Sequence, residues 1–375
     1  QDLDALERMS RLKLNKVYAG NNRKGENWYH PDPIFQRGLQ AAGRACRENG
    51  VMTLALMVNP YSHFPFEPSV DHLDPESRRI WVHGDPQSVA MLQNVFEIGL
   101  TAGAGTIMLH ADDHVPHKGK NPKIYSLYTK EDENRFVNLQ NAQAYVINRL
   151  KQWIDANYPG TRFEFCPPWY TNEFIDRSEG RAVVYFRELI DQLPPEIAIV
   201  WTGPTVRSLS IDTADLNRFA SLIQRWPMLW DNTLYARNIE SRRYGGYTTH
   251  YPGKVRMCNL FEPYDTYKPK DFHNTDDGGH LFINGDAFSE IYKIKFATVA
   301  DYEWNTAAYD PELSLWKILT TTYGPECAKE LLYFNDAYYA LYDMCLRMEY
   351  MGVSQTALKS GAISLGELTR RLQRI

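Results

Sequence analysis

The sequence predicts an α/β protein: a (β/α)8 barrel of the TIM type that is one strand short, followed by a C-terminal helical domain. Three observations predict it. Short apolar segments alternate with longer stretches of helical periodicity, the pattern of parallel strands joined by crossover helices. Seven such strands can be counted, at 14–19, 51–58, 105–109, 162–166, 197–201, 228–230 and 280–283, where a closed barrel needs eight. From residue 311 onward only helical patterning remains. A barrel takes about 250 residues, so the 375 residues leave room for an appendage, and the division expected is 1–310 and 311–375.

The elements follow in order. The chain opens on a helical stripe of Leu3, Leu6, Met9 and Leu12, where a barrel would place a strand first. The expectation is that this strand lies upstream, or that the barrel is open or closes differently. After the strand at 14–19 comes a helix over 35–49, stopped by Gly50; the strand at 51–58 stops at Asn59-Pro60. Pro86 starts a helix to 102 with Val89, Leu92, Phe96 and Gly99 on one face. Beyond the strand at 105–109, one long helix is expected over 135–157. It carries Leu139, Val146, Leu150, Trp153 and Ile154 inward and ends at Tyr158-Pro159-Gly160. The strand at 162–166 precedes a helix at 183–193 closed by Pro194-Pro195. The strand at 197–201 precedes a helix that Asp212 would cap, running to 223. A connection over 239–279, rich in Gly, Tyr, Lys and Asp, separates the last two strands, and loops of that length are usually functional or mobile. Helices over 286–299, 312–322 and 325–351 and a last amphipathic stretch to Ile375 complete the chain.

Composition excludes several classes. Lys and Arg number 41 against 46 Asp and Glu, a net charge of −5, which gives no basic footprint for nucleic acid or anionic membrane. The longest apolar run, 51–58, falls far short of the roughly 20 residues that span a bilayer. No signal-peptide pattern opens the chain, and the source compartment is not legible. Five cysteines, at 46, 166, 258, 327 and 345, are odd in number and lack CxxC spacing, which argues against a disulfide framework or a thiolate zinc site. Aromatic residues are abundant: 24 Tyr, 16 Phe and 9 Trp make 13%. Such rings fill cores, and they also stack on the apolar faces of sugars.

Barrel chemistry gathers at the C-terminal ends of the strands. Asn21-Asn22 follows the first strand, Asn59-Pro60-Tyr61 the second, and His110-Ala111-Asp112-Asp113-His114 the third. Cys166 to Tyr170 follows the fourth, Trp201 to Pro204 the fifth, Trp230-Asp231-Asn232 the sixth and Asn284-Gly285-Asp286 the last. This ring of carboxylates, amides and aromatics suits a sugar site. Asp112 and Asp113 are its centre. Two like charges this close resist joint ionisation, so one stays anionic while the other keeps a proton. Neighbouring residues do not readily straddle a sugar from opposite faces, as a separate nucleophile and acid must. The pair therefore suits a nucleophile supplied by the substrate, such as a 2-acetamido group. Helix capping, or a metal held by His110, Asp112, Asp113, His114 and His117, remains open at this point. Trp201 and Trp304 read as barrel packing, Trp169 as core or substrate platform, and Cys166 as a small buried residue. His114 and His117 with Lys118 and Lys120 read as a solvated loop. Tyr333, Tyr338, Tyr339 and Tyr342 fall at helical spacing and read as a helix contact.

At these residues the sequence resembles glycoside hydrolase family 84, the retaining β-N-acetylglucosaminidases that include protein O-GlcNAcases and bacterial relatives once called hyaluronidases. The resemblance runs from about Leu6 to Asp310. It rests on the order and spacing of 110–113, 166–170, VWTGP at 200–204, LWDN at 229–232, Asn284 and ADYEWNTAAY at 300–309. It implies a catalytic barrel followed by helices, and retention through an oxazoline intermediate. Asp112 would then hold the acetamide N–H, Asp113 would be general acid and then base, and Tyr170 would bind the acetamide oxygen. Cys166, Thr202 and Trp230 match the acetamide pocket; Asn232 and Asn284 match sugar-binding amides. Three departures stand out. The family's opening strand, with a Gly and a Tyr that touch the sugar, is absent. A sugar-contacting lysine is replaced by Asn21, with Arg23 and Lys24 nearby. An aspartate that grips the 4- and 6-hydroxyls is replaced by Arg237, which exchanges an acceptor for a donor.

The reading is a retaining β-N-acetylhexosaminidase that takes a glycan or glycoconjugate with a terminal 2-acetamido sugar, one modified or extended near O4 or O6. It needs no cofactor and no metal, and neither nucleic acid nor membrane is a partner. The alternative is a non-catalytic carbohydrate-binding protein on a decayed barrel. Retention of both aspartates and Tyr170 argues against it, because binding alone needs no paired acid.

Overall fold

The computed structural model describes residues 2–12, 14–20, 31–50, 52–61, 82–112, 130–206, 208, 211, 213–232, 281–284 and 290–334. Seven parallel strands run through it: β1 (Lys16–Gly20), β2 (Thr53–Val58), β3 (Ala104–His110), β4 (Arg162–Cys166), β5 (Ala198–Trp201), β6 (Met228–Asp231) and β7 (Leu281–Ile283). Each pairs with its neighbour in sequence. All seven lie where the apolar segments place them, with ends shifted by two residues at most.

Side chains alternate across a strand, so each strand feeds two cores. Leu54, Leu56, Ile107, Leu109, Phe163, Phe165, Ile199, Trp201 and Leu229 face the helices and join the main core. The alternate positions gather Met108, Cys166, Val200 and Met228 with Tyr18, Met57, Trp230 and Phe282. The sheet curls enough that Tyr18 of β1 meets Phe282 of β7, with ring centroids 4.4 Å apart, although these strands are first and last in the order. Low in the curl, Lys16 Nζ lies 2.9 Å from Glu164 Oε1, and the Tyr18 hydroxyl donates to Glu164 Oε2 at 2.9 Å. Burial, and then the Glu164 charge, push the Tyr18 phenol far above its ordinary value.

The helices begin and end where side-chain chemistry dictates. In α2 (Pro33–Asn49) Asp32 accepts from the N–H groups of Ile34 and Phe35, and Gly50 ends the helix at φ 73°. Before it lies α1 (Asp2–Arg11). In α3 (Pro86–Ala102) Asp85 accepts from Gln87, and Gly103 at φ 105° closes the helix. An aspartate cap followed by proline satisfies a free N–H and presets φ at the first turn. Helices α2 and α3 cross closely: a Cβ on Gly43 would lie 1.8 Å from the Ala102 carbonyl oxygen. Arg47 Nη1 donates to that same oxygen at 2.8 Å.

The expected long helix is two helices, α4 (Lys130–Phe136) and α5 (Leu139–Asn157). Val137 between them sits at φ 71° and is 80% exposed, and Asn138 caps α5 by accepting from the Asn141 N–H. Apolar periodicity carries across the joint, which is why the sequence reads as continuous; the break turns α4 so that Asp132 docks on His83. Helices α6 (Asn172–Asp176), α7 (Arg181–Ile190) and α8 (Thr213–Ile223) flank β4 to β6. Beyond β7 come α9 (Glu290–Trp304) and α10 (Pro311–Tyr323), then a helix described over 325–334. Ile294 packs there with Leu315, Leu319 and Ala328.

The tryptophans divide. Trp201 is outward-facing and buried, stacked on Phe219 at 5.6 Å, as packing predicts. Trp169 is core, 4.9 Å from the Tyr185 ring. Trp304, expected in the barrel, is 71% exposed at the last residue of α9. Cys46 and Cys166 are buried and Cys327 is exposed. Among the described residues no helix is long and apolar enough to cross a membrane.

Candidate active site

The ladder between β3 and β4 runs one step past the strand, with the Ala111 N–H donating to the Cys166 carbonyl at 2.8 Å. This fixes the backbone immediately before Asp112. The Asp112 carboxylate is 25% exposed, so it lies at the mouth of the curl with one side open. Its Oδ1 accepts from Asn59 Nδ2 at 3.1 Å and lies 3.2 Å from His110 Nδ1. Asn59 is itself held, because its Oδ1 accepts the Tyr61 N–H at 2.9 Å. His110 is fully buried with its ring edge on Trp230, centroids 5.2 Å apart. Its Nε2 has no hydrogen-bond partner among the described residues. Trp230 in turn meets Phe282 at 4.6 Å. The floor of the mouth is thus a continuous run of rings from Tyr18 through Phe282 and Trp230 to His110.

Across the mouth the two amides lock one another. Asn232 Oδ1 accepts from Trp230 Nε1 and from Asn284 Nδ2, both at 2.8 Å, while Asn232 Nδ2 donates to the Val206 carbonyl at 2.8 Å. The Asn284 N–H donates to the Asp231 carbonyl at 2.9 Å, which extends the β6–β7 ladder. Tyr170 is buried against Phe174 in the inner cluster that also holds Cys166 and Trp230. Its carbonyl accepts the Thr202 N–H at 2.9 Å. The Asn172 and Glu173 N–H groups donate to the Gly203 and Pro204 carbonyls at 3.2 and 2.9 Å. The loops after β4 and β5 are therefore clipped together. Gly203, at φ 98°, permits the clip: a Cβ there would meet Ser208 Oγ at 2.3 Å.

Of the residues expected from sequence, Asp112, Cys166, Tyr170, Thr202, Trp230, Asn232 and Asn284 converge at this end of the sheet. Asp113, Asn21 and Arg237 lie outside the described residues, as do Asp212, His114, His117 and the 239–279 connection. Among the described residues one group has metal-capable donors, His110, Asp112 and Cys166, whose ligand atoms lie within 4.8 Å of one another. Two contributions escaped the sequence reading: Asn59 and His110 as the partners of Asp112. Both stand at strand ends, but an Asn before Pro reads first as a turn former, and only tertiary geometry joins β2 to β3 at that height.

The model of a family described as beta-N-acetylglucosaminidase matches residues 73–243, a stretch that contains both aspartates, Tyr170 and Arg237. Protein O-GlcNAcase of Rattus norvegicus is 31% identical over 112 residues, 30% of this chain and 12% of that protein. The Mus musculus protein O-GlcNAcase is 30% identical over a stretch of the same length, with the same shares. The matched stretch is thus a small part of these curated relatives. A mutant O-GlcNAc hydrolase of Thermobaculum terrenum superposes with a TM-score of 0.65 at 22% identity, over 87% of this chain and 60% of that one, and so shares the fold. With its site at the carboxyl ends of a curled parallel sheet, the chain is thus similar over 73–243 to the family described as beta-N-acetylglucosaminidase, and it shares the fold of the O-GlcNAc hydrolase.

Proposed function

We propose that this chain is a retaining β-N-acetylhexosaminidase that uses the substrate's own acetamide as nucleophile. The observation that carries the reading is Asp112: a carboxylate oriented by Asn59 and His110, open on one side, beside Cys166 and across from the Asn232–Asn284 pair. In the first step the acetamide oxygen attacks C1, and the bond from C1 to the leaving oxygen breaks. Asp113 gives that oxygen a proton, while Asp112 accepts a hydrogen bond from the acetamide N–H and stabilises the positive charge growing there. Tyr170 donates to the acetamide oxygen. In the second step water attacks C1, Asp113 takes its proton, and the oxazoline opens with retained configuration. Hydrolysis of a chromogenic N-acetyl-β-glucosaminide tests this, with loss of turnover expected in Asp113→Asn. Turnover that survives in both Asp112→Asn and Asp113→Asn would overturn it, and binding of the sugar without turnover would favour the carbohydrate-binding alternative.

Arg237 gives the substrate class a second feature. A guanidinium in place of a carboxylate favours an acidic or extended group near O4 or O6. Comparing turnover of plain and 6-sulfated N-acetylglucosaminides is the check. Preference for the plain sugar, unchanged in Arg237→Ala, would sink this part alone.

A further inference from the structure

Behind the site, on the side of α4, lies a buried polar chain that the proposed chemistry does not use. Tyr185 donates its hydroxyl to Gln143 Oε1 at 2.6 Å, and Gln143 Nε2 donates to the Tyr61 oxygen at 3.3 Å. The Tyr61 oxygen lies 2.8 Å from His83 Nε2, and His83 Nδ1 lies 2.9 Å from Asp132 Oδ2. Asp132 also accepts the backbone N–H groups of His83 at 3.2 Å and Gly84 at 2.9 Å. Every member is buried. A carboxylate facing Nδ1 places the ring proton there, so Nε2 accepts from the Tyr61 hydroxyl. Read this way, each donor in the chain meets an acceptor, running in one direction from Tyr185 to Asp132. Such an Asp–His–hydroxyl order resembles a nucleophile triad, but a hydroxyl sealed in the core reaches no substrate.

The chain ends next to Asp112 by another route. Tyr61 is the residue whose N–H holds Asn59 Oδ1, and Asn59 Nδ2 holds Asp112 Oδ1. We propose that Asp132, His83 and Tyr61 are positioning residues for Asp112: they anchor the turn after β2, and through Asn59 set the rotamer of the carboxylate. The proposal rests on the reading of Asp112 as the acetamide-holding group. A charge-stabilising carboxylate works only at the right distance, and a displacement of about 1 Å can cost about 10²-fold. A polar network in which every member is satisfied is rigid enough to fix such a distance.

The test is a double-variant cycle with two readouts. Tyr61→Phe keeps the ring and removes its link to His83. It should lower kcat on a chromogenic N-acetyl-β-glucosaminide about tenfold, with KM changed less than about twofold. Combined with Asn59→Ala it should cost little more than Asn59→Ala alone, because both act on one path. His83→Gln, whose amide oxygen can still accept from Tyr61, should retain more activity than His83→Leu. The second readout is the carboxyl 13C signal of Asp112 in aspartate-labelled protein, assigned through Asp112→Asn; it should move in Tyr61→Phe as it does in Asn59→Ala. An unmoved signal, or losses that simply add in the double variant, would overturn the positioning role. The signal reports whether or not the protein turns over substrate, so an inactive unsubstituted protein overturns the hydrolase reading alone.

Discussion

At the scale of single residues the site depends on how few freedoms its polar groups keep. Asn232 is committed through both its oxygen and its nitrogen, and Asp112 is held by Asn59 and His110 with a quarter of its side chain exposed, 25%. Removing the charge of Asp112 leaves these neighbours a hydrogen-bonding group of the same shape. Asp112→Asn should therefore leave the melting temperature near its unsubstituted value and lower kcat by about 10²–10³-fold. The same side chains pose a metal question, since His110, Asp112 and Cys166 cluster. Activity should survive exhaustive dialysis against a chelator; a loss restored by zinc would assign these three residues to an ion. The sequence made Asp112, Cys166 and Asn232 legible because each stands at or just past the end of an apolar strand. Asn59 as a partner of Asp112 was not legible: which residues meet across two strands depends on register, and the β2–β3 register shifts between Leu54 and Ala55.

At the scale of elements the Gly50 stop and the Pro86 start were legible and the joints were not. Asp-Pro pairs and terminal glycines mark α2, α3 and α10 in the sequence itself. The close crossing of α2 on α3 leaves no such mark, because Gly43 looks like any helical glycine. Its substitution tests the crossing. Gly43→Ala would drive a methyl into the Ala102 carbonyl and should destabilise by about 1–3 kcal/mol, read as a lower melting temperature. Gly203→Ala faces two obstacles at once, a left-handed φ and the Ser208 side chain. It should loosen the clip between the loops carrying Tyr170 and Thr202. Activity in that variant should fall further than its melting temperature alone explains, checked by kcat measured well below the transition.

At the scale of the whole molecule, strand count and strand order followed from alternation alone, because a parallel sheet with both faces buried needs apolar residues on both faces. Ionisation ties this architecture to pH. Burial alone would raise the Asp132 carboxyl; the hydrogen bond from the His83 ring and the N–H groups of Gly84 and His83 outweigh it and hold the group below its ordinary value. A carboxyl depressed in the folded state stabilises above its unfolded value, about pH 4, and that stability is lost as pH falls through the folded value. Asp132→Asn should accordingly be less stable than the unsubstituted protein at neutral pH, with the gap narrowing on acidification below about pH 4. Thermal melts of both proteins from pH 7 to pH 3 check the sign.

The exposed valine that parts α4 from α5 has a consequence in time. A helix of seven residues does not hold by itself in water, so α4 acquires its structure only on docking. The nineteen-residue α5, with its buried stripe, can form and persist without it. Native-state hydrogen exchange should show α4 amides opening at a lower free energy than those of α5. Asp132, which α4 carries, would then part from His83 while α5 is still folded.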